Sequence, residues 1–377
     1  MISEFYNPVP WTGSFSAGQK PDPLKLKPFD SIANTSLAFC LNMWQHHVFE
    51  YYARHLLYAY AVDIVHNTDT ITLSVDLRPP SLQIQVIGYM GGNAGTGKSA
   101  VIEALLMFSI LWGRRDTIET MAFMGLAGLM IDGDSIHSCR GMSVGKPASA
   151  SSQVDRSVDV VLLSIVDETS QAPQLVIGEA ALVTRRIKCN SLPWGGIHLL
   201  LSADFLQMPP VNGSYIFEPL VDTSRQYFKV MAALDIWNNL NFKCFLIEPM
   251  RQAGDLPFVA ILDRVHWGVT TQEDVDKLNN QYLPNLQTMP TIPSQPEVFT
   301  PMATSLNRDR HAYCLYNIKQ NAIALNEPLF EVLATPEDGR NREIIERLKN
   351  LNDEDTGKMP FLIRFIIGEE VNNYYSV

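Results

Sequence analysis

Apolar positions recur along this 377-residue chain in two rhythms. From Leu37 the spacing is helical: Leu41, Gln45, Val48, Phe49, Tyr52 and Leu56 recur at three and four, with Asn42 placed to cap the start. Leu82 to Val86 alternates with the period of a strand. Ala100 to Trp112 is a nearly unbroken run of apolar helix formers, stopped by Gly113. Thr117 to Met124 predicts a second strand, followed by a small-residue helix over Gly125 to Met130. Val158 to Val166 and Ile197 to Ser202 are continuous apolar runs, the character of strands buried on both faces of a parallel sheet. Four strands alternating with helical segments predict an α/β fold with a mostly parallel sheet.

Elsewhere the pattern is weaker. Residues 1–36 carry Pro8, Pro10, Pro21, Pro23 and Pro28 and predict an irregular leader; 66–80 and 141–157 predict loops. Thr270 to Tyr282 predicts a polar helix, Pro284 to Pro301 a linker, Leu306 to Asn326 a helix and Arg340 to Leu351 a charged helix. Apolar residues are 46% and charged residues 18%, enough for a large core and room for two domains. The net charge of −11 weighs against a sequence-blind nucleic-acid binder, although local basic clusters can still line a cleft. Arg185, Arg186 and Lys188 form the best such cluster, most simply a solvated helix face. Five scattered cysteines without a C-x-x-C pair indicate neither a zinc site nor a disulfide framework. The N-terminus has no secretory pattern, and no apolar run approaches the ~20 residues of a membrane span.

The chemistry concentrates at Gly91 to Ser99, GGNAGTGKS, which fits G-x-x-x-x-G-K-[ST]. Glycines let the backbone N–H groups of Gly92, Asn93, Ala94, Gly95, Thr96 and Gly97 turn inward around phosphate oxygens. Lys98 is expected to reach the β- and γ-phosphates, and Ser99 to hold Mg²⁺ by its hydroxyl. ATP and Mg²⁺ are therefore the expected cofactors of a P-loop NTPase. The Val158–Val166 run ends in Asp167-Glu168, at the strand edge where ligands of open α/β sheets sit. There Asp167 is expected to hold Mg²⁺ and Glu168 to deprotonate the attacking water; alone, such a pair would read as a solvated strand end.

The order of these segments resembles the Pif-type (petite integration frequency) DNA helicases of superfamily 1B, especially forms found in fungi and in Helitron-type transposons. Leu41-Asn42 with Gln45 looks like that family's Q motif, GGNAGTGKS its motif I, and residues 122–138 its motif Ia. IVDETS (165–170) resembles motif II, LPWGGIHLLLSADFLQMPPV (192–211) motif III, and residues 248–268 motif IV. Residues 299–329 and 356–371 look like the region before the family's later motifs. Met124 stands where motif Ia normally has a hydroxyl residue, and Ala203 where motif III normally has glycine. No segment resembles motifs V or VI, so a C-terminally truncated member is expected.

The resemblance implies a RecA-like parallel sheet flanked by helices, with a partial second domain. It predicts a leader over 1–36, an ATP-binding helicase domain over 37–247 and a partial second helicase domain over 248–377. It implies that Gln45 reads adenine, Gln207 senses the γ-phosphate and Arg251 acts as an arginine finger. The implied activity is ATP-driven 5′→3′ DNA unwinding by a monomer, with DNA repair, recombination and telomere maintenance as roles. The nucleus is the implied compartment, the mitochondrion the alternative. The partners implied are single-stranded DNA and duplex junctions, with no membrane. Two other readings stay open: a remnant that binds nucleotide or DNA without moving, and a P-loop small-molecule kinase.

Overall fold

A computed structural model describes residues 32–67, 85–142, 157–210, 213–219, 226–280, 315–316, 318–320, 322–323, 326, 328–333 and 362–365. It comprises two compact units, Met1–Lys277 and Leu278–Val377.

In the first unit six parallel strands form one sheet: β1 (Ile87–Gly92), β2 (Ile118–Ala122), β3 (Asp134–Ser135), β4 (Leu163–Asp167), β5 (His198–Ala203) and β6 (Phe242–Leu246). Their order across the sheet is β3-β2-β4-β5-β1-β6. Because every pair is parallel, all C-terminal ends open on one edge, where such sheets bind ligands.

Both faces are covered, which is why the inner strands are continuously apolar. One face packs on α1 (Ile32–Ala38), α2 (Met43–Asn67) and α3 (Lys98–Leu111): Phe49, Tyr52 and Leu56 meet Met90, Ile165 and Leu200. The other packs on α6 (Gln174–Ile187) and α7 (Tyr227–Asn238): Ile177, Ala181 and Ile236 meet Val166, Leu199 and Leu201. Leu199, Leu200 and Leu201 thus alternate between two cores, as the two-residue period of a strand requires. Short helices α4 (Gly125–Leu129) and α5 (Ile136–Cys139) flank β3.

Several expected elements shift. The strand before the P-loop is Ile87–Gly92 rather than Leu82–Val86, of which residues 82–84 lie outside the described set. Glycines are unusual mid-strand, but a Cβ on Gly88 would sit 2.0 Å from the Tyr52 hydroxyl. That hydroxyl instead crosses to donate to the Leu199 carbonyl at 2.8 Å, tying α2 to the sheet. In the Val158–Val166 run, residues 157–159 are helical and the strand begins only at Leu163. A short apolar run carries no period to separate the two states. The second and fourth strands lie within a few residues of expectation. The predicted leader's residues 32–36 belong to α1, and its first 31 residues lie outside the described set. So do the expected 284–301 linker and 340–351 helix, and all but scattered helical residues of 306–326.

The first compact unit runs through Lys277 and so takes in the residues after 247 up to that point. It includes α8 (Leu256–His266), through bonds to the P-loop and to the loop after β5 described below, and α9 (Gln272–Asn279) as far as Lys277. Arg264 holds the two together through bonds of 2.7 Å and, shorter, to the Asp274 carboxylate. In the second unit, β7 (Phe330–Leu333) pairs antiparallel with β8 (Leu362–Phe365).

Candidate nucleotide-binding site

The P-loop leaves β1 at Gly92 and enters α3 through Gly97, which caps the helix with φ 83° and ψ 32°. No side chain caps α3, so its first-turn N–H groups keep their outward aim toward an anion. Gly97 must be glycine twice over. Its φ is left-handed, and a Cβ there would lie 2.2 Å from Gln45 Nε2. Ser99 is exposed on the first turn, and Ala94 is exposed at the loop tip. Thr96 is buried and donates its hydroxyl to the Asn93 carbonyl at 2.9 Å.

Gln45 reaches the loop because of how α2 begins. Asn42 Oδ1 accepts the Gln45 N–H at 3.0 Å, and Gln45 Oε1 accepts the Asn42 N–H at 3.0 Å. This is a reciprocal capping box with amide side chains. Gln45 Nε2 then donates to the Thr96 carbonyl at 2.9 Å, leaving the residue only 2% exposed. The amide retains one N–H and one acceptor position.

Lys98 Nζ donates to the Gly92 carbonyl at 2.7 Å and to the Asn93 carbonyl at 3.3 Å. Burial lowers its pKa, while the charges of Glu168, Asp204 and Asp167 oppose that and Arg251 adds to it. Lys98 is thus within electrostatic reach of Glu168, Asp204, Asp167 and Arg251.

Asp167 closes β4 and is 8% exposed, with Ser202 of the neighbouring strand donating its hydroxyl to Oδ1 at 2.6 Å. Glu168 follows in the left-handed region, φ 49° and ψ 41°. A non-glycine residue there carries roughly 1–2 kcal/mol of strain, of the kind that gathers at functional sites. Burial, then the Asp167 charge, raises the Glu168 pKa, which suits a proton acceptor better than an ordinary carboxylate does. Among the described residues no group of three or more His, Cys, Asp or Glu side chains could hold a metal. Ser99 with one carboxylate is the sparse protein share typical of Mg²⁺ bound chiefly by phosphates and water.

Asp204, just past β5, is 5% exposed and carries more bonds than any residue singled out from sequence. Its carboxylate accepts from Gln207 Nε2 at 2.8 Å, from the Leu206 N–H at 3.1 Å, and meets His266 Nε2 at 2.9 Å from each oxygen. Gln207 therefore lies at the same sheet edge as the P-loop. Arg251 is exposed, but its backbone is pinned: the Met250 and Arg251 N–H groups donate to the Gly95 carbonyl at 2.8 and 3.1 Å. Asn93 Nδ2 donates to Asp263 of α8 at 3.2 Å. Sequence reasoning gave Asp204, Ser202 and His266 no role. An aspartate ending an apolar strand was visible as a signal; a histidine sixty-two residues on was not.

Beyond this edge, the motif Ia-like segment presents an apolar surface, with Met124 53% exposed and Leu126, Leu129 and Met130 exposed beside it. Within the basic cluster Arg185 pairs with Asp235, and Lys188 with Asp159 at 3.8 Å. Cys40, Cys139, Cys189 and Cys244 are free thiols.

A parallel sheet whose P-loop strand and carboxylate strand are separated by a third strand, itself ending in an acid and a glutamine, defines a P-loop NTPase. Residues 82–275 match the family model described as PIF1-like helicase, and the chain belongs to that family. It is 26% identical over 201 residues to ATP-dependent DNA helicase RRM3 of Saccharomyces cerevisiae, covering 51% of this chain and 27% of that protein. It is 29% identical over 189 residues to ATP-dependent DNA helicase PIF1 of the same species, covering 48% and 21%. The match thus spans about a quarter of these relatives' own length. Among solved structures, the Pif1 helicase from Candida albicans aligns with a TM-score of 0.49 at 18% identity, covering 87% of this chain and 64% of that one. Bacteroides Pif1 in complex with ADP-AlF3 and single-stranded DNA aligns at 0.45 and 17%, covering 69% and 58%.

Proposed function

We propose that this chain supplies the ATP-hydrolysing part of a superfamily 1B DNA helicase of the fungal or transposon type, coupling ATP turnover to 5′→3′ unwinding. The observation that carries the reading is the meeting at one sheet edge of Lys98, Asp167, Glu168, Gln207 and Arg251, from four separate segments of sequence. The yeast relatives are named ATP-dependent DNA helicases, which supports the reaction class.

In this reading the P-loop amides and Lys98 bind the phosphates, and Gln45 meets the base with its remaining amide valences. Mg²⁺, when bound through Ser99 and Asp167, offsets charge on the β- and γ-phosphates. Glu168, its pKa raised, takes the proton of the attacking water. Gln207 contacts the γ-phosphate, and Arg251 offsets the charge that grows there; such an arginine contributes on the order of 10³-fold or more in rate. Single-stranded DNA and duplex junctions are the partners, engaged by a monomer along the surface around Met124. The proposed compartment is the nucleus, with the mitochondrion second, and the proposed roles are repair, recombination and telomere maintenance; the likeness to the yeast DNA helicases supports this reading.

The test is ATP turnover by the purified chain with and without single-stranded DNA. Stimulation by DNA is expected, with Lys98→Ala abolishing nucleotide binding and Glu168→Gln retaining Mg-ATP while losing turnover. Unchanged affinity for a fluorescent ATP analogue in Lys98→Ala would remove the nucleotide-site reading, and unchanged turnover in Glu168→Gln would remove the base.

A further inference from the structure

Gln207 sits in the loop after β5, half-exposed, and its side-chain amide donates to Asp204 at 2.8 Å. An ionised carboxylate only accepts, so the Gln207 amide must turn its nitrogen toward Asp204. That leaves Oε1 and the second N–H facing away, free to meet a phosphate or a water. The orientation of Gln207 is thus set by the orientation of the Asp204 carboxylate.

That carboxylate accepts the Leu206 N–H on one oxygen and is bridged across both by His266. Its Nε2 stands 2.9 Å from both oxygens, at the end of α8, and the ring is only 15% exposed. Its Nδ1 is buried without a hydrogen-bond partner among the described residues, among which the ring's polar bonding is to Asp204. The stretch from Met250 to the end of α8 touches the P-loop at two further points, Asp263 of α8 on Asn93 and, before the helix, the Met250 and Arg251 amides on Gly95. One segment therefore grips both the phosphate loop and the group that orients Gln207.

We propose that His266 is a positioning residue for recognition of the terminal phosphate: it holds Asp204 so that Gln207 faces the nucleotide. This rests on the nucleotide-site reading above and names a residue that the reading does not use. The measured quantity is a ratio of two affinities, for a non-hydrolysable ATP analogue with an imido β–γ bridge and for ADP, so no turnover is required. A merely structural role would weaken both alike.

His266→Leu should lower the ATP-analogue-to-ADP ratio by about tenfold, the scale of one lost hydrogen bond to a charged group. ADP affinity should stay within about twofold, which also reports that the variant is folded. His266→Gln, whose amide nitrogen can occupy the Nε2 position, should restore most of the ratio. In a Gln207→Ala background, His266→Leu should add nothing, because the two substitutions remove one interaction. An unchanged ratio in His266→Leu, equal loss of both nucleotides, or a full additive effect in Gln207→Ala would each overturn the proposal. Failure of the underlying reading is separate: the wild type would bind neither nucleotide, or Lys98→Ala would bind both as the wild type does.

Discussion

His198 opens β5 and carries a proton-linked share of the stability that can be isolated by one substitution. Its Nδ1 accepts the Val86 N–H at 2.9 Å, so the ring must be neutral for that bond to exist. Burial first, and then the ring of His55 at 5.3 Å, lowers the His198 pKa from 6.5 to about 4. Between those two values the unfolded chain binds a proton that the folded chain refuses, so stability rises with pH. The contribution is complete above 6.5 and is lost as pH falls through about 4. Each pKa unit is worth about 1.4 kcal/mol, so the full span is about 3 kcal/mol, and about 2 kcal/mol of it is spent between roughly pH 7 and pH 5. His198→Asn keeps an acceptor near the Nδ1 position and removes the titration. Urea unfolding at the two pH values should show the wild type losing about 2 kcal/mol more than the variant. His46 and His47 also have lowered pKa values, and they remain in both proteins, so they cancel in the comparison; the His55 interaction goes with His198 and is part of the difference read. If the two proteins lose stability in parallel, the Val86–His198 bond is not the source and the argument fails.

Gly97→Ala forces a left-handed alanine and pushes Gln45 off Thr96, so a loss of about 2 kcal/mol with a sharp fall in nucleotide affinity is expected from thermal unfolding and analogue titration. Arg140→Met should destabilise by about 3–5 kcal/mol in urea unfolding, because Arg140 is fully buried over the Trp194 ring and its loss leaves the Glu119 carboxylate uncompensated.

The P-loop, both strand-end carboxylates and the parallel sheet were legible because each rests on local order: a fixed glycine spacing, an apolar run, an acid at its end. The strands moved by a few residues where packing overrode the run, as at Gly88 under Tyr52, and where a short apolar stretch held both a helical turn and a strand. β6 went unread although Phe242, Cys244 and Leu246 alternate inward, since an edge strand of five residues with Phe245 outward offers only a short period. The partners of Asp204 and Asn93 were not legible at all. His266 and Asp263 lie 62 and 170 residues away, and no local spacing records a contact of that range.

That range bears on how the protein is made. Gln45, the P-loop, Asp167, Asp204 and the α8 segment reach their places only through contacts between distant parts of the chain, Tyr52 to Leu199 among them. Chain closure of this kind is slow, and each step waits for the later segment to exist. During synthesis the phosphate loop is complete long before the Gly95, Asn93 and Asp204 groups have anything to hold. A ribosome-bound chain that has not yet extruded His266 carries the full P-loop motif without its support, and nucleotide affinity in such stalled chains should appear as a late step rather than with the motif itself.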